Sequence, residues 1–211
     1  MKTLKHENIK VIFSGGGTLG PVTPLLAIYD ILKENHPKAQ FIWVGSKHGP
    51  EKELVEKRGI YFVSLASGKL RRYHSVWNIV DFFILLTAFV KSVVFLIRHR
   101  PSVCISAGGF VSVPLHLAAW ILRVPTWIHQ QDARVGLSNK LMAPFARLIT
   151  TAQQKNVKNF SKQKAILLGN PVRADILAGD ITRARERFSL VADKPVIFVT
   201  GGGTGSANIN R

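Results

Sequence analysis

The sequence predicts an α/β fold built on a doubly wound, parallel sheet, and three observations carry that expectation. Short apolar runs of strand length alternate with longer segments of helical period along most of the chain. Two of those runs end in glycine clusters, at 15–20 and at 107–109, where a parallel strand would turn into a helix. The first of these patterns, Val11-Ile12-Phe13-Ser14-Gly15-Gly16-Gly17-Thr18, returns late in the chain as Val196-Ile197-Phe198-Val199-Thr200-Gly201-Gly202-Gly203-Thr204. A strand feeding a glycine loop twice, one domain length apart, points to two nucleotide-fold domains in tandem.

The elements follow in order. Lys10-Val11-Ile12-Phe13-Ser14 reads as a buried parallel strand. Over 21–35 the spacing is helical, with Leu25, Leu26, Ile28, Ile31 and Leu32 on one broad face and Pro24 within the tolerant first turn. A strand at 40–44, a short charged helix at 51–57 and a strand at 60–65 come next. After a basic loop at 67–72 runs a long apolar stretch, 76–97. Strands are then expected at 102–106, 126–129, 148–151, 165–168 and 195–200, with a helix at 111–122. These divide the chain into a domain over 1–175, a linker over 176–194, and the first strand and glycine loop of a second domain over 195–211. That second domain reads as truncated.

Composition narrows the function. The chain has 211 residues, 46% of them hydrophobic, which suffices for a core. Cys104 is the only cysteine, which rules out a disulfide framework or a cysteine-rich metal site, and its neighbours Val103 and Ile105 make it a core residue. No metal-ligand spacing appears, and no cofactor is called for. No signal peptide is visible, because residues 1–10 are polar and charged. The net charge of +17 requires an anionic partner: nucleic acid, anionic lipid headgroups or a phosphorylated substrate. Basic residues are not interleaved with aromatics as stacking on bases would demand, so nucleic acid is set aside.

The 79–97 stretch approaches bilayer length, but Asp81 and Lys91 would each cost about 2.5–3.5 kcal/mol at a bilayer centre. Asn78, Asp81, Ala88, Lys91 and Arg98 recur as a narrow polar stripe at helical period. Such a helix is either a core helix or one with an exposed apolar face. Cations at Lys69, Arg71 and Arg72, and at Arg98, His99 and Arg100, flank it. The combination favours peripheral docking on anionic membrane, with Arg71, Arg72, Phe82, Phe83 and Leu86 at the contact.

The motifs suggest a site at one sheet edge. Gly15-x-Gly17-x-x-Gly20 matches the dinucleotide fingerprint, yet the acidic residue expected after the second strand is missing from Val44-Gly45-Ser46-Lys47. A loop touching phosphate or sugar fits better than a nicotinamide site, and a plain tight turn is the alternative. Backbone N–H groups of Gly17, Thr18, Leu19 and Gly20, with those of Gly108 and Gly109, are expected to cradle a pyrophosphate between two helix N-termini. Close packing is the other reading of the 108–109 pair. His129-Gln130-Gln131-Asp132 ends a further strand and offers an imidazole and a carboxylate, the parts of a general base. His129 could equally be a structural histidine. Arg173, after the turn Gly169-Asn170-Pro171-Val172, is either a phosphate donor or a solvated arginine.

Taken in order, these motifs resemble the MurG family of peptidoglycan N-acetylglucosaminyltransferases. That family's Gly-Gly-Thr-Gly-Gly-His is matched by Gly16-Gly17-Thr18-Leu19-Gly20-Pro21, and its Ser-Gly-Leu/Lys-Arg loop by 67–72. Its Gly-Gly-Tyr-Val-Ser-x-Pro is matched by Gly108-Gly109-Phe110-Val111-Ser112-Val113-Pro114. Its His-Glu-Gln-Asn and Gly-x-x-Asn-Lys are matched by His129-Gln130-Gln131-Asp132 and Gly136-Leu137-Ser138-Asn139-Lys140. Gly-Asn-Pro-Val-Arg stands unchanged at 169–173, and Gly-Gly-Ser-Gln-Gly-Ala is matched by 201–206.

The resemblance implies a GT-B fold. It implies an inverting, metal-independent transfer of N-acetylglucosamine from UDP-N-acetylglucosamine to lipid I, forming lipid II at the cytoplasmic face of the plasma membrane. It assigns substrate contacts to the two glycine loops and to Asp132, Asn139, Arg173, Gly203 and Thr204. The family's histidine is Pro21 here, its glutamate Gln130, its asparagine Asp132 and its donor-loop serine Gly203. Proline carries no base, so Asp132 becomes the first candidate and His129 the second. A transferase for a diacylglycerol acceptor and a non-catalytic membrane-anchoring subunit are the alternatives, and the 211-residue chain alone is expected to transfer no sugar.

Overall fold

The computed structural model describes residues 9–66, 77–191 and 194–199, with helical backbone but not side chains over 77–82. Seven strands form one sheet: β1 (Lys10–Ser14), β2 (Gln40–Ser46), β3 (Tyr61–Leu65), β4 (Val103–Ser106), β5 (Thr126–Gln130), β6 (Leu148–Thr151) and β7 (Ala165–Leu167). All pairings are parallel, in the order β3-β2-β1-β4-β5-β6-β7. The order reverses between β1 and β4, so loops leaving these neighbours diverge and open a crevice at the carboxyl ends of the strands. The expected doubly wound sheet is present.

Helices cover both faces: α1 (Val22–Asn35), α2 (Glu51–Glu56), α3 (Trp77–His99), α4 (Ser112–Ile121), α5 (Leu137–Met142), α6 (Gln154–Val157), α7 (Ala174–Leu177) and α8 (Ile181–Phe188). The two-residue period of β1 assigns the layers. Val11 and Phe13 point to one face, where Val22, Leu25, Leu26 and Tyr29 of α1 close over them with Trp43. Ile12 points to the other, packing with Cys104, Ile42 and the α3–α4 pair. Burial lifts the Cys104 thiol to about 12, which leaves it an unreactive apolar filler.

The face by which α3 packs differs from the polar stripe the sequence suggests. Ala88, Ser92 and Leu96 are buried, with Ala88 and Leu96 against Leu115, Ala118 and Ala119 of α4. Lys91 and Arg98 stay exposed, so the stripe splits. Small residues let two helices approach closely, and that selects the face more strongly than polarity does. The large residues Phe83, Leu86, Val90, Val94 and Ile97 are left exposed. Among the described residues no helix is long and apolar enough to cross a membrane.

Two expectations are corrected and a third gains detail. Strand β2 runs on to Ser46, whose backbone N–H and hydroxyl are both held by Glu51. The interval read as a linker carries α8, capped by the Asp180 carboxylate, which accepts from the Arg183 N–H at 2.7 Å. Among the described residues no strand forms over 195–199, and Ile197 and Phe198 are 86% and 81% exposed.

Behind the crevice lies a buried polar pair, in which the Ser14 hydroxyl and His116 Nε2 share a hydrogen bond of 3.2 Å. Burial depresses His116 from 6.5 to about 3. The unfolded imidazole therefore takes up a proton near pH 6.5 while the folded one does not until about pH 3. The stability this group confers is complete above pH 6.5 and declines as pH falls. Between pH 7 and pH 4.5 it should account for a loss of about 2–3 kcal/mol. Urea denaturation at both pH values should show that component absent from His116→Gln.

Candidate functional site

Three loops meet above the sheet: 15–21 after β1, 107–111 after β4 and 131–136 after β5. Their approach is backbone against backbone. Gly109 has φ +92°, and a Cβ there would stand 2.9 Å from the Gly16 carbonyl oxygen and 3.1 Å from its nitrogen. A Cβ on Gly15 would lie 3.4 Å from Gly108 O, and one on Gly20 would lie 3.4 Å from Gln131 Nε2. The glycine loops at 15–20 and 107–109 are thus brought to one place.

The donors divide differently from expectation. Gly17 N–H donates to Glu51 Oε2 at 3.2 Å, Gly108 N–H to Ser106 Oγ at 3.0 Å, and Gly109 N–H to Ser138 Oγ at 3.2 Å. Those three amides are already satisfied within the protein. Among the described residues, the N–H groups of Thr18, Leu19 and Gly20 donate to no protein acceptor. These three stand just before the 14-residue helix α1, whose dipole adds positive potential there; the N–H groups of Gly16, Phe110 and Val111 likewise have no acceptor among the described residues.

The 131–136 loop is shaped by Gln130. Its side-chain amide donates to Asp132 O at 2.9 Å and Arg134 O at 3.1 Å, while its oxygen accepts from Asn139 Nδ2 at 2.8 Å. Asn156 Nδ2 also donates to Asp132 O, at 2.7 Å. The Asp132 backbone is therefore held from two sides and its side chain is exposed, with no hydrogen-bond or ion-pair partner among the described residues. Asn139 is buried and donates also to His129 O at 3.1 Å, which makes it a brace for the loop; its own Oδ1 has no partner. Beside the loop opens a cleft of about 1000 Å³ lined by residues 133–137, Lys140 and Asn159.

His129 does not meet solvent. It is fully buried, with Nδ1 2.8 Å from Thr150 Oγ1 and Nε2 3.3 Å from Asn170 Oδ1. The Thr150 oxygen already accepts from Trp127 Nε1 at 2.8 Å. The Asn170 amide oxygen can only accept, so the ring proton sits on Nε2, and Nδ1 accepts from the Thr150 hydroxyl. Burial pushes the imidazole below its ordinary value, opposed by the bond to Asn170. Both nitrogens are committed to linking β5, β6 and the 169–173 turn. Arg173, after that turn, donates through Nε to Asp175 Oδ1 at 3.1 Å. Gly203, Thr204, Arg71 and Arg72, and the side chain of Phe82, lie outside the described residues.

Glu51, Ser138 and Gln130 are the supports that sequence reasoning passed over. Glu51 looked like one charge of a short polar helix, and Gln130 like a mere departure from a motif. Only the fold brings them under the loops. Among the described residues no cluster of side chains suited to a metal ion occurs.

Residues 11–151 match the family model described as the glycosyltransferase family 28 N-terminal domain. The chain belongs to glycosyltransferase family 28. A family relative from Bacillus anthracis, named UDP-N-acetylglucosamine–N-acetylmuramyl-(pentapeptide) pyrophosphoryl-undecaprenol N-acetylglucosamine transferase 2, is 41% identical over 96% of this chain. A Clostridium botulinum transferase of the same name, without the number, is 39% identical over 95%. The chain spans 57% and 56% of those two relatives' lengths. Among solved structures, MurG of Acinetobacter baumannii superposes with a TM-score of 0.64 at 23% identity, over 78% of this chain and 46% of that one. A UDP-GlcNAc 2-epimerase from Methanocaldococcus jannaschii gives 0.60 at 12%, over 88% and 54%. These structural likenesses establish the fold, that of the N-terminal domain of a GT-B glycosyltransferase.

The family 28 crevice thus depends on glycines for two different reasons, which substitution separates. Gly17 has φ +84° and open space around it, so Gly17→Ala should cost only the left-handed strain, about 1–2 kcal/mol. Gly109→Ala adds a backbone clash to that strain and should cost more, about 3 kcal/mol or above. Urea titration of both variants checks the order.

Proposed function

We propose that this chain is the acceptor-binding half of a transferase that moves N-acetylglucosamine from UDP-N-acetylglucosamine to lipid I, forming lipid II. The observation that carries the reading is the crevice at the β1/β4 switch point, where three unpaired N–H groups face the Asp132 loop across glycine backbone. A diphosphate-linked acceptor supplies the anion those amides suit, and relatives about 40% identical are named for transfer to such an acceptor.

In this reading Thr18, Leu19 and Gly20 hold the acceptor's diphosphate by their N–H groups, aided by the positive end of α1. The acceptor hydroxyl then lies beside Asp132. As its oxygen bonds to the anomeric carbon, the sugar–phosphate bond breaks, UDP leaves with the bonding electrons, and Asp132 takes the hydroxyl proton. Attack opposite the leaving group inverts the anomeric centre. Arg173, Gly203 and Thr204 are assigned to the donor's phosphates. His129 and Asn139 support the Asp132 loop.

The reaction is proposed to run on a membrane surface that α3 contacts. Leu86, Val90, Val94 and Ile97 form a continuous apolar stripe at spacings of three and four, with Lys91, Arg98 and Arg100 exposed beside it. Basic residues near an anionic surface are worth about 1 kcal/mol each and are screened by salt. The chain should therefore bind phosphatidylglycerol vesicles more tightly than phosphatidylcholine ones, and less so in 0.5 M salt. Val90→Glu with Val94→Glu should release it.

The transfer itself is tested with radiolabelled UDP-N-acetylglucosamine in a protein that includes the C-terminal portion of a relative. Lipid I should be glycosylated and diacylglycerol should not; the reverse would reassign the acceptor. Asp132→Asn should lower kcat by about 10²–10⁴ with little change in the acceptor's KM. Wild-type kcat in that variant would remove Asp132 as the base.

A further inference from the structure

Glu51 is the only fully buried acidic side chain among the described residues. Its two oxygens serve different parts of the fold. Oε1 accepts from the Ser46 N–H at 2.7 Å and the Ser46 hydroxyl at 2.6 Å, fastening α2 to the end of β2. Oε2 accepts from the Gly17 N–H at 3.2 Å, in the loop that lines the crevice. The carboxylate fits because side chains are missing around it. A Cβ on Gly16 would overlap Oε1, one on Gly49 would overlap Oε2, and one on Gly45 would come within 3.1 Å of Oε1. Among the described residues no cation answers it: every donor there is a backbone amide or a hydroxyl. A charge placed this way is costly to bury, and the arrangement is too closely fitted to be a by-product of capping a six-residue helix.

We propose that Glu51 is a positioning residue for the acceptor crevice. It draws the Gly17 amide inward and occupies it, so that an incoming anion finds the next three amides, Thr18 to Gly20, and not Gly17. By holding 16–17 against the rigid end of β2 it also fixes the Gly16 backbone on which Gly109 rests. One carboxylate thereby sets both the register of the donor row and the spacing of the two glycine loops. This inference rests on the functional reading above.

Glu51→Gln is the discriminating variant. Its side-chain oxygen stays with the two Ser46 donors, which leaves an NH₂ group facing the Gly17 N–H, donor against donor. The variant should fold, with an unchanged circular dichroism spectrum. Hydrogen exchange at the Gly17 amide should accelerate at least about tenfold, while exchange at Gly108, bonded to Ser106, stays as it was. The affinity of the 211-residue chain for undecaprenyl diphosphate in detergent micelles should fall about tenfold. Binding to anionic vesicles, which uses α3, should not change, a split that general destabilisation would not produce. Ser46→Ala, which removes a Glu51 partner but leaves the Gly17 bond, should keep its affinity for the lipid diphosphate. Should wild type fail to prefer undecaprenyl diphosphate over undecaprenol, the functional reading falls and this inference with it. Should wild type show the preference and Glu51→Gln match it, the inference alone is overturned.

Discussion

Gly109 passes the backbone of Gly16 at a distance that admits no side chain, and much of this molecule is arranged around that contact. It arises because the sheet winds outward in two directions from β1 and β4, leaving their loops side by side at the carboxyl edge. Two polar backbones brought so near must find partners for their amides, and the partners are specific: Glu51 for Gly17, Ser106 for Gly108, Ser138 for Gly109. Among the described residues the row Thr18 to Gly20 is left without acceptors, as are the amides of Gly16, Phe110 and Val111. The anion-binding capacity of the crevice is therefore a remainder, defined by which amides the scaffold has not used.

The same economy shapes the helical layer behind it. Placing Ala88 and Ser92 of α3 toward the core brings α3 close to Ala118 and Ala119 of α4, which in turn seats α4 at the end of β4. The large apolar side chains of α3 are thereby displaced to the outside, beside Lys91 and Arg98. The exposed apolar face of α3 and the crevice above β1 and β4 are thus joined through one helix pair.

Much of this was legible in the sequence, and the exceptions are instructive. The strands up to β7 could be read because apolar runs bounded by glycine or proline leave little choice, and the glycine loops could be placed because the positive φ at Gly17, Gly108 and Gly109 favours glycine. Helix α8 escaped notice because Thr182, Arg183, Arg185, Glu186 and Arg187 give it no apolar period; its evidence lies in the cap at Asp180. The strand expected over 195–200 repeats the letters of β1, yet 195–199 carry no strand. At the site the sequence left alternatives open that the hydrogen bonds now narrow. Gly17 and Gly109 read as possible donors, and His129 as a base or a structural histidine, because the hydrogen bonds that occupy them, to Glu51, Ser138, Thr150 and Asn170, span 21 to 41 residues. Spacing along the chain reveals which groups are present. Only the fold reveals which are already spent.

The claim on which the rest turns is that an acceptor diphosphate binds at Thr18 to Gly20. Backbone amide chemical-shift mapping of the ¹⁵N-labelled chain, titrated with a short-chain polyprenyl diphosphate, addresses it directly. The largest saturable shifts should fall on the amides of Thr18, Leu19 and Gly20, with smaller ones along 131–136. Shifts confined to the Arg134 and Lys140 cleft or to the basic flank of α3, with the 18–20 amides unmoved, would contradict it.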